Sequence, residues 1–136
     1  MAFAIKAAIT EPPAGELIFT ARKTMYGGKR IAEGDEIFLF ASENSGGRGL
    51  IAKGIVTAAA AVARRPGVER QTPRVDVTIE MIAPALRPLG RRELKSFDRW
   101  DDGRPETELN FKFYRQATDK IVGLTDETTA FLGTFF

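Results

Sequence analysis

Apolar and polar residues alternate most cleanly from Arg74 to Ile82, where Val75, Val77, Ile79 and Met81 interleave with Asp76, Thr78, Glu80 and Ile82. A period of two predicts a strand with one face in a core. Phe3 to Ile9 is a short apolar run closed by Glu11-Pro12-Pro13, which predicts a first strand. Gly15 to Ala21 suits either a strand or one turn of helix. Arg22 to Arg30 reads as a loop punctuated by Gly27 and Gly28. Glu36 to Ala41 is too short for a stable helix and rich in β-formers, hence a buried strand. In Leu50 to Ala63 the β-branched Ile51, Ile55, Val56, Thr57 and Val62, with Gly54, outweigh the alanines and favour a strand. Gly46, Gly47 and Gly49 then serve as hairpin residues between the two greasy runs. Three strands in series with no intervening helix imply antiparallel pairing.

Beyond Pro84 and Pro88 the pattern weakens. Gly90 to Phe97 permits a short helix, Asp98 to Asn110 is irregular around Trp100, and alternating Phe111 and Phe113 suggest a strand to Tyr114. Ile121 to Leu124 is brief and apolar, and Thr125 or Asp126 caps a last helix through about Leu132. No repeat or linker divides the chain, so residues 1–136 form a single domain, mainly β with flanking helices (α+β).

Composition removes several chemistries. With no cysteine and no histidine, disulfides, thiolate or Ser-His nucleophiles and the usual zinc ligands are excluded. No metal and no cofactor is expected. The longest uncharged run, Gly54 to Ala63, is far short of the roughly 20 residues a membrane helix needs. With no secretory signal pattern either, the expectation is a soluble, cytoplasmic protein without a membrane partner. Net charge is only +2, but residues 61–100 carry nine Lys/Arg against five Asp/Glu, while 101–136 carry four against seven. A basic middle suits a lip around a groove for phosphates.

Gly27-Gly28-Lys29-Arg30 lacks the earlier glycine and the Ser/Thr of a phosphate loop. Asp98 to Gly103 fails as a calcium loop at Trp100, which has no oxygen to offer. Glu93-Leu94-Lys95 sits at a helix start, where a metal-dependent nuclease would need a strand. Tyr26, Trp100 and Tyr114 are aromatics in or beside polar loops, with Arg22, Lys23, Lys29, Arg30 and Arg115 nearby in sequence. Rings next to cations are what base-stacking pockets require.

Several motifs occur in the order of a known family: Phe3-Ala4-Ile5-Lys6 with Thr10-Glu11-Pro12, Gly34 to Ser42, Gly49 to Val56, Pro73 to Val77, and Ile121 to Glu127. Together they resemble the EVE domain of the PUA-like superfamily. The resemblance implies a PUA-like curved antiparallel pseudobarrel with helices at its flanks, binding RNA or modified DNA through an aromatic-lined pocket for a modified base. By position it implies pocket walls at Thr24, Tyr26, Phe40, Ser42, Asn44, Trp100 and Tyr114; the basic residues Arg22, Lys23, Lys29, Arg30, Arg48 and Arg115 in the neighbouring loops are expected to contact phosphates. Phe3 stands where the EVE pattern usually has tryptophan, and the loop before Gly34-Asp35 departs from its usual Asn/Arg/Gln-rich form.

A second reading uses Lys23-Thr24, which resembles the related ASCH domain, some of whose members are small amidohydrolases acting on modified nucleosides. It implies catalytic roles for Lys23, Thr24 and Glu80, which must then converge. A third reading is an interaction domain that forms a homodimer through Phe131, Phe135 and Phe136.

Overall fold

Val75, Val77 and Ile79 form the inner face of a long strand in the computed structural model, which describes residues 2–9, 11–116 and 119–136. Thr10, part of the EVE-like pattern, lies outside the described residues. Among the described residues, six strands close a barrel: β1 (Ala2–Ala7), β2 (Glu16–Met25), β3 (Glu36–Ala41), β4 (Gly49–Ala61), β5 (Arg74–Pro84) and β6 (Ile121–Leu124), in the order β1-β3-β4-β5-β2-β6. The serial strands β3, β4 and β5 are antiparallel, as expected. The barrel as a whole is mixed: β1 runs parallel to β3, and β2 parallel to β6. With β2 crossing to the far side, β1 and β3 become spatial neighbours pointing the same way, which serial order alone does not reveal.

The unbroken apolar runs in β1 and β3 follow from burial on both faces. Phe3, Ile5, Ile37 and Leu39 fill the barrel interior with Phe19, Val56, Val77 and Ile79. Ala2, Ala4, Phe38 and Phe40 face outward, into a second core beneath Leu94 of α1 (Arg91–Leu94), Leu109 of α2 (Pro105–Asn110) and Leu132 of α3 (Asp126–Gly133). Pro105 at its first turn suits the start of α2. Thr125 caps α3, its hydroxyl accepting Thr128 N–H.

Three local expectations are corrected. Pro105–Asn110, expected to be irregular, is helix α2, started by Pro105 in its first turn. Arg22 to Met25 is strand, because β2 continues through a bulge between Phe19 and Arg22. Ala21 there has φ 50 and is pinned on both sides, its N–H donating to Asp76 Oδ1 at 2.6 Å and its carbonyl accepting Arg74 Nη1 at 2.9 Å. Phe111 to Arg115 is a π-helical turn continuing α2, not a strand. Its widened turn buries Phe113 against Phe40, with centroids 4.9 Å apart, and lets Phe111 and Tyr114 emerge on the flanks. The terminal aromatics pack within the chain: Phe135 is buried, with Arg87 over its ring, and Phe136 packs on Phe38.

At the start of β4, Gly49 has φ +88, and a Cβ there would run into Leu89 O and Gly90 Cα. This glycine is therefore structural.

Candidate nucleic-acid interface

Beyond its bulge, β2 pairs Lys23 with Arg74 of β5. That pairing opens a cleft of about 340 Å³ with Arg22, Lys23 and Arg74 on its walls and Asp119 as its carboxylate. Arg74 also borders a larger groove of about 660 Å³, where Lys29 meets Arg64 and Arg70 of the β4–β5 hairpin. Arg22, Lys23 and Lys29, singled out from sequence, thus share one rim, with Arg30 exposed beside Lys29. Arg64, Arg70 and Arg74 join them from a distant segment. Their only sequence signal is the excess of basic residues after position 60. Arg48 lies in the β3–β4 connection and lines neither cleft, so it does not join this rim.

An aromatic shelf lies on the outer side of α2. Phe111 contacts Trp100 at 5.5 Å and Tyr26 at 6.4 Å between centroids. Arg115 sits 4.9 Å from the Trp100 ring centre and Lys112 4.8 Å from that of Tyr26. Trp100 remains 40 % exposed and Tyr26 37 %, so both keep accessible ring surface. Trp100 and Phe111 border a cavity of about 370 Å³ that Arg104, Thr107 and the carboxylates of Glu108 and Glu127 also line. The Thr107 hydroxyl is buried and makes no hydrogen bond of ordinary geometry among the described residues. It does lie near the Asp102 carboxyl, which the Arg104 N–H first and Thr107 second hold below its usual range. Phe111 and Lys112 carry no signal in the sequence, because a strand over this segment would point them elsewhere.

Tyr114 emerges on the other flank. Its hydroxyl donates to Glu43 Oε1 at 3.1 Å, and its ring lies beneath Lys6 Nζ at 4.7 Å and Arg91 at 5.5 Å. Glu43 Oε2 accepts Arg91 N–H at 2.7 Å. Lys6 is buried at the end of β1 and donates to Phe113 O. Burial lowers its pKa, with Arg91 adding to the effect and the Glu43 and Asp119 charges opposing it. Burial, then the Glu43 charge and hydrogen bond, raise the Tyr114 phenol. Lys6 and Glu43 are not conspicuous in sequence, since a lysine in an apolar strand and a glutamate in a turn look unexceptional.

Other expected pocket residues have different positions. Phe40 is fully buried in the core, so its ring cannot line a pocket. Thr24 is buried, its hydroxyl donating to Pro73 O at 2.9 Å, which makes it a strand tie. Ser42 and Asn44 lie in the turn after β3, Ser42 held to Ala7 O through its N–H and Asn44 exposed. They flank Glu43 in sequence, and neither lines the cavity beside Trp100. Lys23, Thr24 and Glu80 do not converge. Glu80 is exposed and pairs with Glu16, seven positions before Lys23 along β2, roughly 20 Å of strand.

No protein-family model matches the chain, and no curated protein sequence matches it. Solved structures do. The DUF55 domain of human thymocyte nuclear protein 1 superposes with a TM-score of 0.63 at 14% identity, over 98% of this chain and 97% of that one. The human THYN1 protein in complex with DNA containing 5-methylcytosine gives 0.64 at 15% identity, over 98% and 96%. A protein from Pseudomonas putida gives 0.61 at 16% identity, over 99% of both chains. These likenesses establish the fold, a six-stranded barrel with flanking helices matching the DUF55 domain end to end.

Proposed function

We propose that this chain is a nucleic-acid-binding module that takes a modified base onto the Trp100–Phe111 shelf and holds the adjoining phosphates on the cationic rim of the barrel. The observation that carries the reading is the convergence of Arg22, Lys23 and Arg74 on one cleft. Net charge is small, so this clustering reflects local arrangement, and a polyanion is the partner that matches it. The half-exposed Trp100 ring supplies a stacking face. A base inside a duplex must leave the stack to reach such a site, so single-stranded or mismatched targets are favoured. The fold shared with human THYN1, whose structure contains 5-methylcytosine DNA, supports the same reading and makes 5-methylcytosine the first base to try.

The test is fluorescence anisotropy with labelled oligonucleotides, with and without 5-methylcytosine, over a range of salt. The reading expects affinity to fall steeply as salt rises, with a log–log slope of about 0.7 for each single-strand phosphate contact. Binding that ignores salt would refute the phosphate rim. Equal affinity for a full panel of modified and unmodified bases would refute base recognition.

A further inference from the structure

The β4–β5 hairpin supplies an arm that the base site does not require. Its polar tip is fixed by its own side chains. Gln71 accepts Arg65 N–H at 3.0 Å and donates to Arg65 O at 2.8 Å and Val68 O at 3.2 Å, while Arg64 Nη2 donates to Glu69 O at 2.7 Å. Between this arm and the Gly28–Arg30 turn runs the 660 Å³ groove, with an apolar floor at Val62, Pro73 and Val75. Among the described residues of its lining, Glu69 is the single carboxylate, set against Lys29, Arg64, Arg70 and Arg74.

We infer that this groove holds the phosphodiester backbone flanking the recognised base, so that one strand runs from the aromatic shelf past Tyr26 and the Lys29 turn to the hairpin arm. This rests on the nucleic-acid reading and adds the path of the strand. Two observations select this occupant. The lining has four cations to one carboxylate among the described residues, with apolar floor for sugars and base edges between them. The groove is also continuous with the rest of the interface, sharing Arg74 with the Arg22–Lys23 cleft and carrying Lys29 three residues after Tyr26 of the shelf. A preorganised arm loses little entropy on binding.

The test compares wild type with Arg64→Gln/Arg70→Gln and, on a separate element, Lys29→Gln. Single-stranded 5-methylcytosine oligonucleotides of about five and about fifteen nucleotides are titrated across salt. The inference expects the longer probe to bind about fivefold more weakly per lost contact at about 0.1 M salt, with a slope shallower by about 0.7 per contact. For the shorter probe, the preference for the methylated base stays as in wild type. Unchanged affinity and slope in both variants, with wild type binding normally, would overturn the groove while leaving the module's function intact. If wild type binds neither probe, both readings fail. If phosphatidylserine vesicles sediment wild type but not the double variant, while both bind the longer probe equally, the groove serves a membrane surface and the inference is overturned.

Discussion

Glu108 of α2 accepts the Thr125 hydroxyl at 2.6 Å, which ties the helix beneath the aromatic shelf to the start of α3. The same carboxylate accepts the buried Thr128 hydroxyl at 2.9 Å and Lys112 Nζ at 3.0 Å. Lys112 in turn donates to Gly123 O at 2.7 Å, locking the shelf to β6. Burial alone would raise the Glu108 carboxyl; the Thr125 bond, the Lys112 charge and bond, and the Thr128 bond outweigh it and hold the pKa below the usual 4.5.

Because that pKa is lowered on folding, Glu108 contributes stability that is full above pH 4.5 and is lost as pH falls through the folded value. Chemical denaturation from pH 7 down to about pH 3 should show an acid loss that Glu108→Gln makes shallower. Glu108→Ala should cost about 2 to 3 kcal/mol at neutral pH, since it removes the acceptor shared by the Thr125 and Thr128 hydroxyls and the Lys112 ammonium. An acid limb identical in wild type and Glu108→Gln would contradict the assignment.

Tyr114 makes the opposite prediction. Its phenol pKa is raised on folding, so its stabilising contribution is complete below the unfolded value of 10 and declines as pH climbs above it. Tyr114→Phe should therefore lower stability at pH 7 by about 1 to 1.5 kcal/mol, through loss of the Glu43 bond, yet lose less stability above pH 10. Parallel alkaline limbs in the two proteins would contradict a phenol whose pKa burial and Glu43 raise on folding.

Gly49 is required for two reasons, a left-handed φ and the approach of Leu89 O. Gly49→Ala should destabilise by more than about 2 kcal/mol, because strain and a backbone clash add. Gly103, also at positive φ but with open space where a Cβ would project, provides the comparison. Gly103→Ala should cost only about 1 kcal/mol. Equal thermal midpoints for the two variants would count against the packing described for the start of β4.

The strands that carry the core were legible because their burial is written locally. Val75, Val77 and Ile79 alternate with polar neighbours, and Ile37 to Phe40 read as a doubly buried run. The parallel pairing of β1 with β3 was not legible, because it depends on where β2 goes. The end of β2 was hidden for a related reason: Arg22 to Met25 look like a loop until Asp76 and Arg74 anchor the bulge at Ala21 from across the sheet. For the candidate site, Tyr26, Trp100 and the cations of the Arg22–Arg30 segment were visible as loop aromatics beside charges. Arg64, Arg70, Phe111, Lys112, Lys6 and Glu43 enter only through tertiary contact, and Phe40 and Thr24 leave the pocket for the same reason. Lys23, Thr24 and Glu80 look compatible as residue types, and the register of β2 against β5 separates them.

The most direct measurement is the affinity of wild type and Trp100→Ala for a single-stranded oligonucleotide carrying one 5-methylcytosine and for its unmodified counterpart. Wild type should prefer the methylated strand, and Trp100→Ala should lose about 1 to 3 kcal/mol of binding to it together with most of that preference. Since Trp100 is 40 % exposed and outside both cores, the variant should keep its thermal stability within about 1 kcal/mol. A folded Trp100→Ala protein that binds and discriminates as wild type does would contradict base recognition on the Trp100–Phe111 shelf.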